Sequence, residues 1–295
     1  MEIIKRRRPS EIAGGFFWLC HPLPVCFHTI AVFLFALLAV GSVAWTGRSW
    51  YLLVLIVAAH TSMQLSIAVL NDYCDRRLDA ASKPEKPIPR GLVRPREALI
   101  LGILLIAIMV LLLLPLQPLA LLISLLYLAC GLSYNLGLKS TPFSGIVFAL
   151  AIPLIPLYAF AAVGHIIPLV FWMIPVAALL GAALNLANSL PDLEKDAANH
   201  ARTLAVVLGE KQSLIVCSLL VLLSAVLVGV FTLTRLVPAL LVVVIPTLVV
   251  TSLAIGAMFL FFAPTRPAQV RKIYFYLMVL VCFVLAGGWL IGALF

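Results

Sequence analysis

The sequence predicts an all-α membrane protein, a polytopic bundle of about nine transmembrane helices with its N-terminus in the cytoplasm. Two averages carry this prediction: 64% of the 295 residues are hydrophobic and only 11% are charged, and the mean hydropathy is +1.19. In addition, apolar runs of roughly 20 residues recur along the chain, and a helix of that length crosses a hydrocarbon core of about 30 Å. Because lipid cannot satisfy open backbone groups, each run is expected to be helical.

The apolar runs place the spans in order along the chain. Most connections between them are short, whereas those at 71–97 and 191–212 are long. We expect the whole chain, 1–295, to form a single transmembrane domain. The predicted spans are 23–45, 51–70, 98–115, 119–136, 146–163, 168–190, 213–233, 237–262 and 273–294.

The basic residues predict the orientation. Only Arg48 and Arg235, of the 20 Lys and Arg residues, fall on the side opposite the N-terminal Lys5–Arg8. The positive-inside rule therefore puts the N-terminus and both long connections in the cytoplasm. The net charge of +9 is thus a topological signal. No basic patch is interleaved with exposed aromatic residues, so no nucleic-acid partner is expected.

Two acidic clusters begin the two long connections. The first contains Asn71, Asp72, Asp75 and Asp79. If the second span continues as a helix, its turn of 100° per residue places these side chains within an arc of about 100°.

The second cluster contains Asn188, Asp192 and Asp196, which share a face on the same assumption. Glu194 points away from that face and is excluded from the predicted site. Pro191 is expected to kink this helix, because proline removes a backbone hydrogen bond.

These residue types indicate a hard cation. Carboxylate and amide oxygens suit Mg²⁺ or Ca²⁺ and not zinc, and Mg²⁺ commonly binds through one or two carboxylates plus substrate phosphates. The alternative is a set of solvated acids that balance Arg76, Arg77 and Lys195. Two clusters on one side of the membrane favour divalent metal ions that hold a phosphorylated substrate at the membrane surface.

Longer patterns around the two clusters resemble the UbiA superfamily of intramembrane prenyltransferases. The run Asn71–Asp79 followed by Lys86–Gly91 is similar to that family's NDxxDxxxD signature and its (K/R)P(I/L)xxG turn. The run Asp192–Asp196 followed by Arg202–Leu204 and Leu208–Gly209 is similar to its DxxxD signature and trailing TLxxxLG. Tyr134 and Lys139 are similar to a third element. One departure is His200, where many members have glycine.

The resemblance implies a reaction in which a polyprenyl diphosphate loses diphosphate with the help of two Mg²⁺ ions and leaves an allylic carbocation. A lipophilic or aromatic acceptor, such as a quinone precursor, then attacks that carbocation, and membrane lipid surrounds the site. Asn71, Asp75, Asp79, Asp192 and Asp196 would hold the metal ions. Asp72 and Asn188 would support or bind them, and a carboxylate of the first cluster would accept the proton of the acceptor.

The resemblance also implies groups that hold the diphosphate. Lys139, Arg202, Lys86 and Arg90 are the candidate cations, and the alternative for each is a positive-inside anchor. Tyr134 would stabilise the carbocation by its ring face or bind the diphosphate, unless it is an ordinary interfacial aromatic residue. His21, near the start of the first span, is a candidate to reach the acceptor.

Four alternatives stay open. The same fold could use a chlorin or a glycerol-type lipid as acceptor, or it could cyclise a terpene. A secondary transporter is the alternative from another class. It is disfavoured because no Asp, Glu, Lys or Arg falls in the middle of a predicted span, where transporters usually place ionisable groups.

Overall fold

The computed structural model describes residues 8–43, 46–263 and 266–294, and the secondary structure in those ranges is helical without strands, as predicted. Two short 3₁₀ turns, Leu138–Ser140 and Leu190–Asp192, interrupt the α-helices. The α-helices are α1 (Pro9–Leu19), α2 (Pro22–Gly41), α3 (Ser49–Ser82), α4 (Pro95–Leu113), α5 (Pro118–Asn135), α6 (Ser144–Val163), α7 (Pro168–Ser189), α8 (Leu193–Ala198), α9 (Leu204–Leu233), α10 (Leu241–Phe262) and α11 (Ala268–Leu294).

Proline marks where many of these helices begin. Its fixed φ suits the first helical position, and the hydrogen it lacks would have no partner there. In α1 and α4 a glutamate adds a cap: the Arg8 amide donates to Glu11 over 3.0 Å, and the Arg94 amide donates to Glu97 over 2.8 Å. The helices that start on proline are α1, α2, α4, α5 and α7.

The predicted number and order of the spans are confirmed. Within the described residues, nine helical segments are long and apolar enough to cross a membrane, namely α2 to α6, α7 with the short α8, and α9 to α11. The bounds differ most at polar ends, because hydropathy reports where the apolar run stops and not where the helix stops. The helix of the second span, predicted over 51–70, continues to Ser82, and α9 begins at Leu204 instead of 213. The predicted end of the first span at 44–45 and the basic residues Lys5–Arg7 lie outside the described residues.

Helix α1 was not predicted. It has 11 residues, fewer than a span needs, and its two adjacent glycines are poor helix formers. Leu19 and Gly15 are buried, whereas Phe17 and Trp18 are exposed. Its stability therefore comes from packing one face against its neighbours, which local sequence does not reveal.

The chain divides into two compact units. The first comprises Met1–Leu136 and Leu154–Ile166, and in it α3 packs against α2, α4 and α5. Its interior contains a polar network: Gln64 Nε2 donates to the Tyr127 hydroxyl over 2.7 Å and lies 3.2 Å from His28 Nδ1. Such pairing is what polar side chains need within a membrane segment.

The second unit comprises Gly137–Pro153 and Ile167–Phe295. Here α7 packs against α9, α9 against α10, and α10 against α11, while the turn Leu190–Asp192 packs against α11. Ser144 donates to the buried Asn185 side chain over 2.9 Å, which ties the start of α6 to α7.

Candidate functional site

The first acidic motif lies on an unbroken helix. Helix α3 has 34 residues, and at 1.5 Å per residue it is about 51 Å long, longer than a hydrocarbon core of about 30 Å. The whole motif lies in the last turns of α3. The second span therefore continues as a helix, as the predicted arc of Asn71, Asp72, Asp75 and Asp79 requires. Asp72 and Asp79, seven residues apart, lie on the same side of the helix.

One cation joins these two carboxylates. Lys86 Nζ lies 2.8 Å from Asp72 Oδ1 and 2.8 Å from Asp79 Oδ2, and the two acids are only 2% and 4% exposed. Burial by itself would lower the pKa of Lys86, but the attraction and hydrogen bonds of the two carboxylates outweigh it and raise the pKa above its usual value. The ammonium therefore stays charged at neutral pH and offsets the repulsion between the acids.

Buried apolar contacts hold the loop that follows α3 in place, and this loop carries Lys86. Ile88 and Val93 are buried against Leu19 of α1 and Val69 of α3, so the loop lies over the end of α3. A turn places Gly91 at φ +71°, a left-handed conformation that side chains with Cβ rarely adopt. The need for a left-handed backbone at this turn explains why the K-P-I-x-x-G pattern ends in glycine.

Two more side chains contact the acidic motif. His21 Nε2 lies 2.9 Å from Asp72 Oδ1, the same oxygen that Lys86 contacts. The Asn71 amide nitrogen donates to Asn135 over 2.8 Å, and Asn135 in turn donates to the Ile67 carbonyl. This chain of bonds fixes the Asn71 side chain and leaves its amide oxygen as the atom available to a cation.

The other predicted residues of the first unit lie nearby in sequence but differ in exposure. Asp75 is partly exposed on α3, and Tyr134 is partly buried in the last turn of α5. Arg90 is exposed on the loop that carries Lys86. These exposures are compatible with substrate contact, which stays a prediction for all three.

The second motif departs from the predicted geometry. Helix α7 ends at Ser189, the 3₁₀ turn Leu190–Asp192 follows, and α8 then begins at Leu193. The single continuous helix assumed for Asn188, Asp192 and Asp196 is therefore wrong, and the shared helical face predicted from it does not apply. Pro191 lies at the break, as its missing N–H requires. Asn188 is exposed, and both aspartates are partly exposed.

Two candidate cations of the second unit lie on segments that touch. The Arg202 amide donates to the Ser140 carbonyl over 3.0 Å, and Lys139 lies in the same short turn, Leu138–Ser140. Thr203 then caps α9 by accepting from the Val206 amide. The loop after the second motif is thus held beside the turn that carries Lys139.

His200 has a strained backbone, at φ +56°. Histidine tolerates this left-handed region better than most residues, and a β-branched residue does not. Glycine adopts this region at no steric cost, so the backbone at His200 has a conformation that a glycine at this position would also accept.

We expect His200→Val to lower stability by about 1–2 kcal/mol, because its Cβ branches crowd the left-handed backbone. His200→Gly should keep the thermal midpoint near that of the parent protein. Thermal unfolding in detergent measures both. Asn199→Val is the matched control, since Asn199 has φ −88° and no such penalty; equal effects of the two valines would contradict the strain.

The oxygen donors of the two motifs fit Mg²⁺ in type. Within the described residues, no three His, Cys, Asp or Glu side chains converge as a ready-made metal cluster. Mg²⁺ commonly takes one or two carboxylates and fills its shell with water and phosphate oxygens, so the carboxylate and amide oxygens of the two motifs are ligands of the right type.

Glu194, the acid that the sequence analysis excludes from the predicted site, has a basic partner. Glu194 pairs with Arg271 of α11, which supports leaving it out of the metal-binding set. The sequence places Arg271 among the basic residues on the predicted cytoplasmic side, just before the predicted span 273–294, and carries no signal for its burial.

Comparison with known proteins agrees with the predicted family. Residues 28–281 match the UbiA prenyltransferase family. Over 152 residues the chain is 38% identical to digeranylgeranylglyceryl phosphate synthase of Natronomonas pharaonis, covering 50% of this chain and 54% of the relative. Over 173 residues it is 31% identical to 4-hydroxybenzoate octaprenyltransferase of Citrobacter koseri, covering 56% and 58%. The aligned parts thus span little more than half the length of either curated relative.

The fold is also similar to solved structures. A UbiA homolog from Archaeoglobus fulgidus, bound to GPP and Mg²⁺, superposes with a TM-score of 0.65 and 18% identity. The match covers 92% of this chain and 99% of that one. At this identity the likeness concerns the fold, an all-helical bundle.

Proposed function

This chain belongs to the UbiA prenyltransferase family, and from that premise we propose that it transfers a polyprenyl group from a polyprenyl diphosphate to an acceptor in the membrane, with Mg²⁺ as cofactor. The observation that carries the proposal is the end of α3, where Asp72 and Asp79 share the ammonium of Lys86. The carboxylates at this helix end are ligands of the type that Mg²⁺ takes together with the phosphates of a substrate.

The family, together with the nine long apolar helices found within the described residues, indicates an integral, multi-pass membrane protein. We propose in addition that the N-terminus and both acidic motifs lie on the cytoplasmic side, as the positive-inside rule predicts. We also propose that residues 1–295 form one transmembrane domain and bind no nucleic acid.

We propose two Mg²⁺ ions, held by oxygens of Asn71, Asp75, Asp79, Asp192 and Asp196, with support from Asp72 and Asn188. The chemistry that bound Mg²⁺ supplies is neutralisation of the charge that develops on the departing diphosphate. The amide oxygen of Asn71 suits this role because the Asn71 nitrogen is already bonded to Asn135.

The chain's own cations would bind the diphosphate. Lys139 and Arg202 lie on touching segments of the second unit, and Lys86 and Arg90 share the loop after α3. Tyr134 would stabilise the allylic carbocation through its ring face. The proton released by the acceptor goes to a carboxylate of the first motif.

The acceptor has two candidates. An aromatic or quinone-precursor acceptor is supported by the likeness to 4-hydroxybenzoate octaprenyltransferase. A glycerol-type lipid is supported by the likeness to digeranylgeranylglyceryl phosphate synthase. Neither of these two relatives supports a chlorin acceptor or terpene cyclisation.

The test is release of diphosphate by the purified protein. Prenyl diphosphates of several chain lengths are incubated with 4-hydroxybenzoate, with a glycerol phosphate lipid, or with no acceptor, in Mg²⁺ or in EDTA. We expect release that needs both Mg²⁺ and one acceptor, together with a prenylated product. Release without acceptor would indicate cyclisation or hydrolysis, and no release by the folded protein at any chain length would contradict the proposal.

A further inference from the structure

A buried arginine contacts the short helix α8, which carries part of the second acidic motif. Arg271, in the first turn of α11, is 2% exposed, and its guanidinium contacts Glu194 of α8 and Glu210 of α9. The distance from Arg271 Nη1 to Glu210 Oε2 is 3.1 Å. One side chain therefore joins three helices of the second unit.

Stability alone does not explain this cluster. Replacing a buried ion group by apolar side chains of similar volume is often neutral or stabilising, because charges lose their hydration when buried. The Arg271 Nε–H is buried and has no hydrogen-bond partner among the described residues, which adds a further cost. A planar guanidinium nevertheless offers what apolar residues lack, a fixed fork that sets the direction of two carboxylates at once.

The two glutamates differ in their surroundings. Glu210 is 14% exposed and also accepts from the Arg266 amide over 3.1 Å. It follows Gly209, whose φ of +75° kinks the start of α9. Glu194, by contrast, has a side chain that is 63% exposed, so Arg271 is anchored by Glu210 and reaches out to α8.

Helix α8 needs such support. It has six residues, too few to be stable alone, and it follows a 3₁₀ break. Residues two positions apart on a helix face different ways. Glu194 and Asp196 lie two residues apart on α8, and Asp192 is its N-cap residue, so the contact of Glu194 with Arg271 restrains the rotation of α8 from a side that does not carry Asp196.

We propose that Arg271 is a positioning residue for the second acidic motif: through Glu194 it sets the orientation of α8 and thereby of Asp192 and Asp196. This inference rests on the proposed function for its kinetic consequence only. The positioning itself is a property of the protein without substrate.

Hydrogen–deuterium exchange of the purified protein tests the positioning without any activity. We expect faster exchange across Leu193–Ala198 in Glu194→Gln and in Arg271→Met than in the parent protein. Arg271→Lys should give an intermediate rate, since a single ammonium reproduces the charge but not the fork. Glu194→Gln keeps the Arg271–Glu210 pair, so it tests the tether even if Arg271→Met fails to fold. Lys272→Met, which removes an exposed cation from the same turn, is the matched control.

Kinetics supply the second readout. We expect Glu194→Gln to raise the Mg²⁺ concentration for half-maximal diphosphate release by about 10–100-fold, as for partners that orient metal ligands, with Lys272→Met unchanged. Unaltered exchange of α8 in Glu194→Gln would overturn the positioning. Faster exchange with an unchanged Mg²⁺ requirement would overturn its link to the motif. Absence of any release by the parent protein would instead refute the proposed function and leave the exchange result standing.

Discussion

Loss of prenyl transfer is the expected result of Asp75→Ala, and independently of Asp192→Ala. Each removes a carboxylate proposed to hold Mg²⁺, one from each motif, so the charge on the departing diphosphate loses its stabilisation. We expect the rate to fall by more than about 100-fold, the scale seen when one group that stabilises transition-state charge is removed. The initial rate of diphosphate release at saturating Mg²⁺ measures this effect.

Both variants should stay folded, because neither aspartate is buried; size exclusion and thermal unfolding check this. Glu85→Gln is the control: it removes an exposed acid from the loop after α3 that belongs to neither motif. Near-normal turnover in either aspartate variant would rule out a site that needs both motifs.

Lys86→Met should produce the largest change in stability. It leaves Asp72 and Asp79 buried without their shared ammonium, and breaking a buried ion pair in this way costs about 3–5 kcal/mol. In EDTA we expect a clear drop of the thermal midpoint. Mg²⁺ should then stabilise Lys86→Met more than the parent protein, because the two carboxylates are left to attract another cation.

Arg96→Met is the control for Lys86→Met, since it removes an exposed cation close by in sequence. Adding Asp79→Asn to Lys86→Met should cost less than the sum of the single changes, because the two residues share one interaction. Additive losses, or equal stabilisation of variant and parent by Mg²⁺, would be evidence against the shared ammonium.

The spans were predictable because a segment that crosses lipid must be long and apolar, and both properties can be measured in the sequence. The helix of the first motif was predictable for another reason: its acids recur at helical spacing in line with the apolar part of α3. Neither signal depends on which parts of the chain meet.

What escaped prediction depends on distant contacts. The break at Leu190–Asp192 carried a local signal, Pro191, but whether proline kinks a helix or ends it depends on packing against α11. The pairing of Lys86 with Asp72 and Asp79 requires the loop to fold back over α3, which follows from burial of Ile88 and Val93 and not from charge spacing. In the sequence Arg271 resembles a basic anchor at the membrane surface, and only its contacts with Glu194 and Glu210 indicate another role.

The continuity of α3 ties the height of the first motif to the thickness of the bilayer. The carboxylates sit on the same rigid rod as the membrane-crossing turns, so they cannot move along the membrane normal unless the whole helix shifts or tilts. Bilayers of unequal thickness are accommodated largely by tilt and local lipid deformation, which changes how far Asp75 and Asp79 stand from the hydrocarbon.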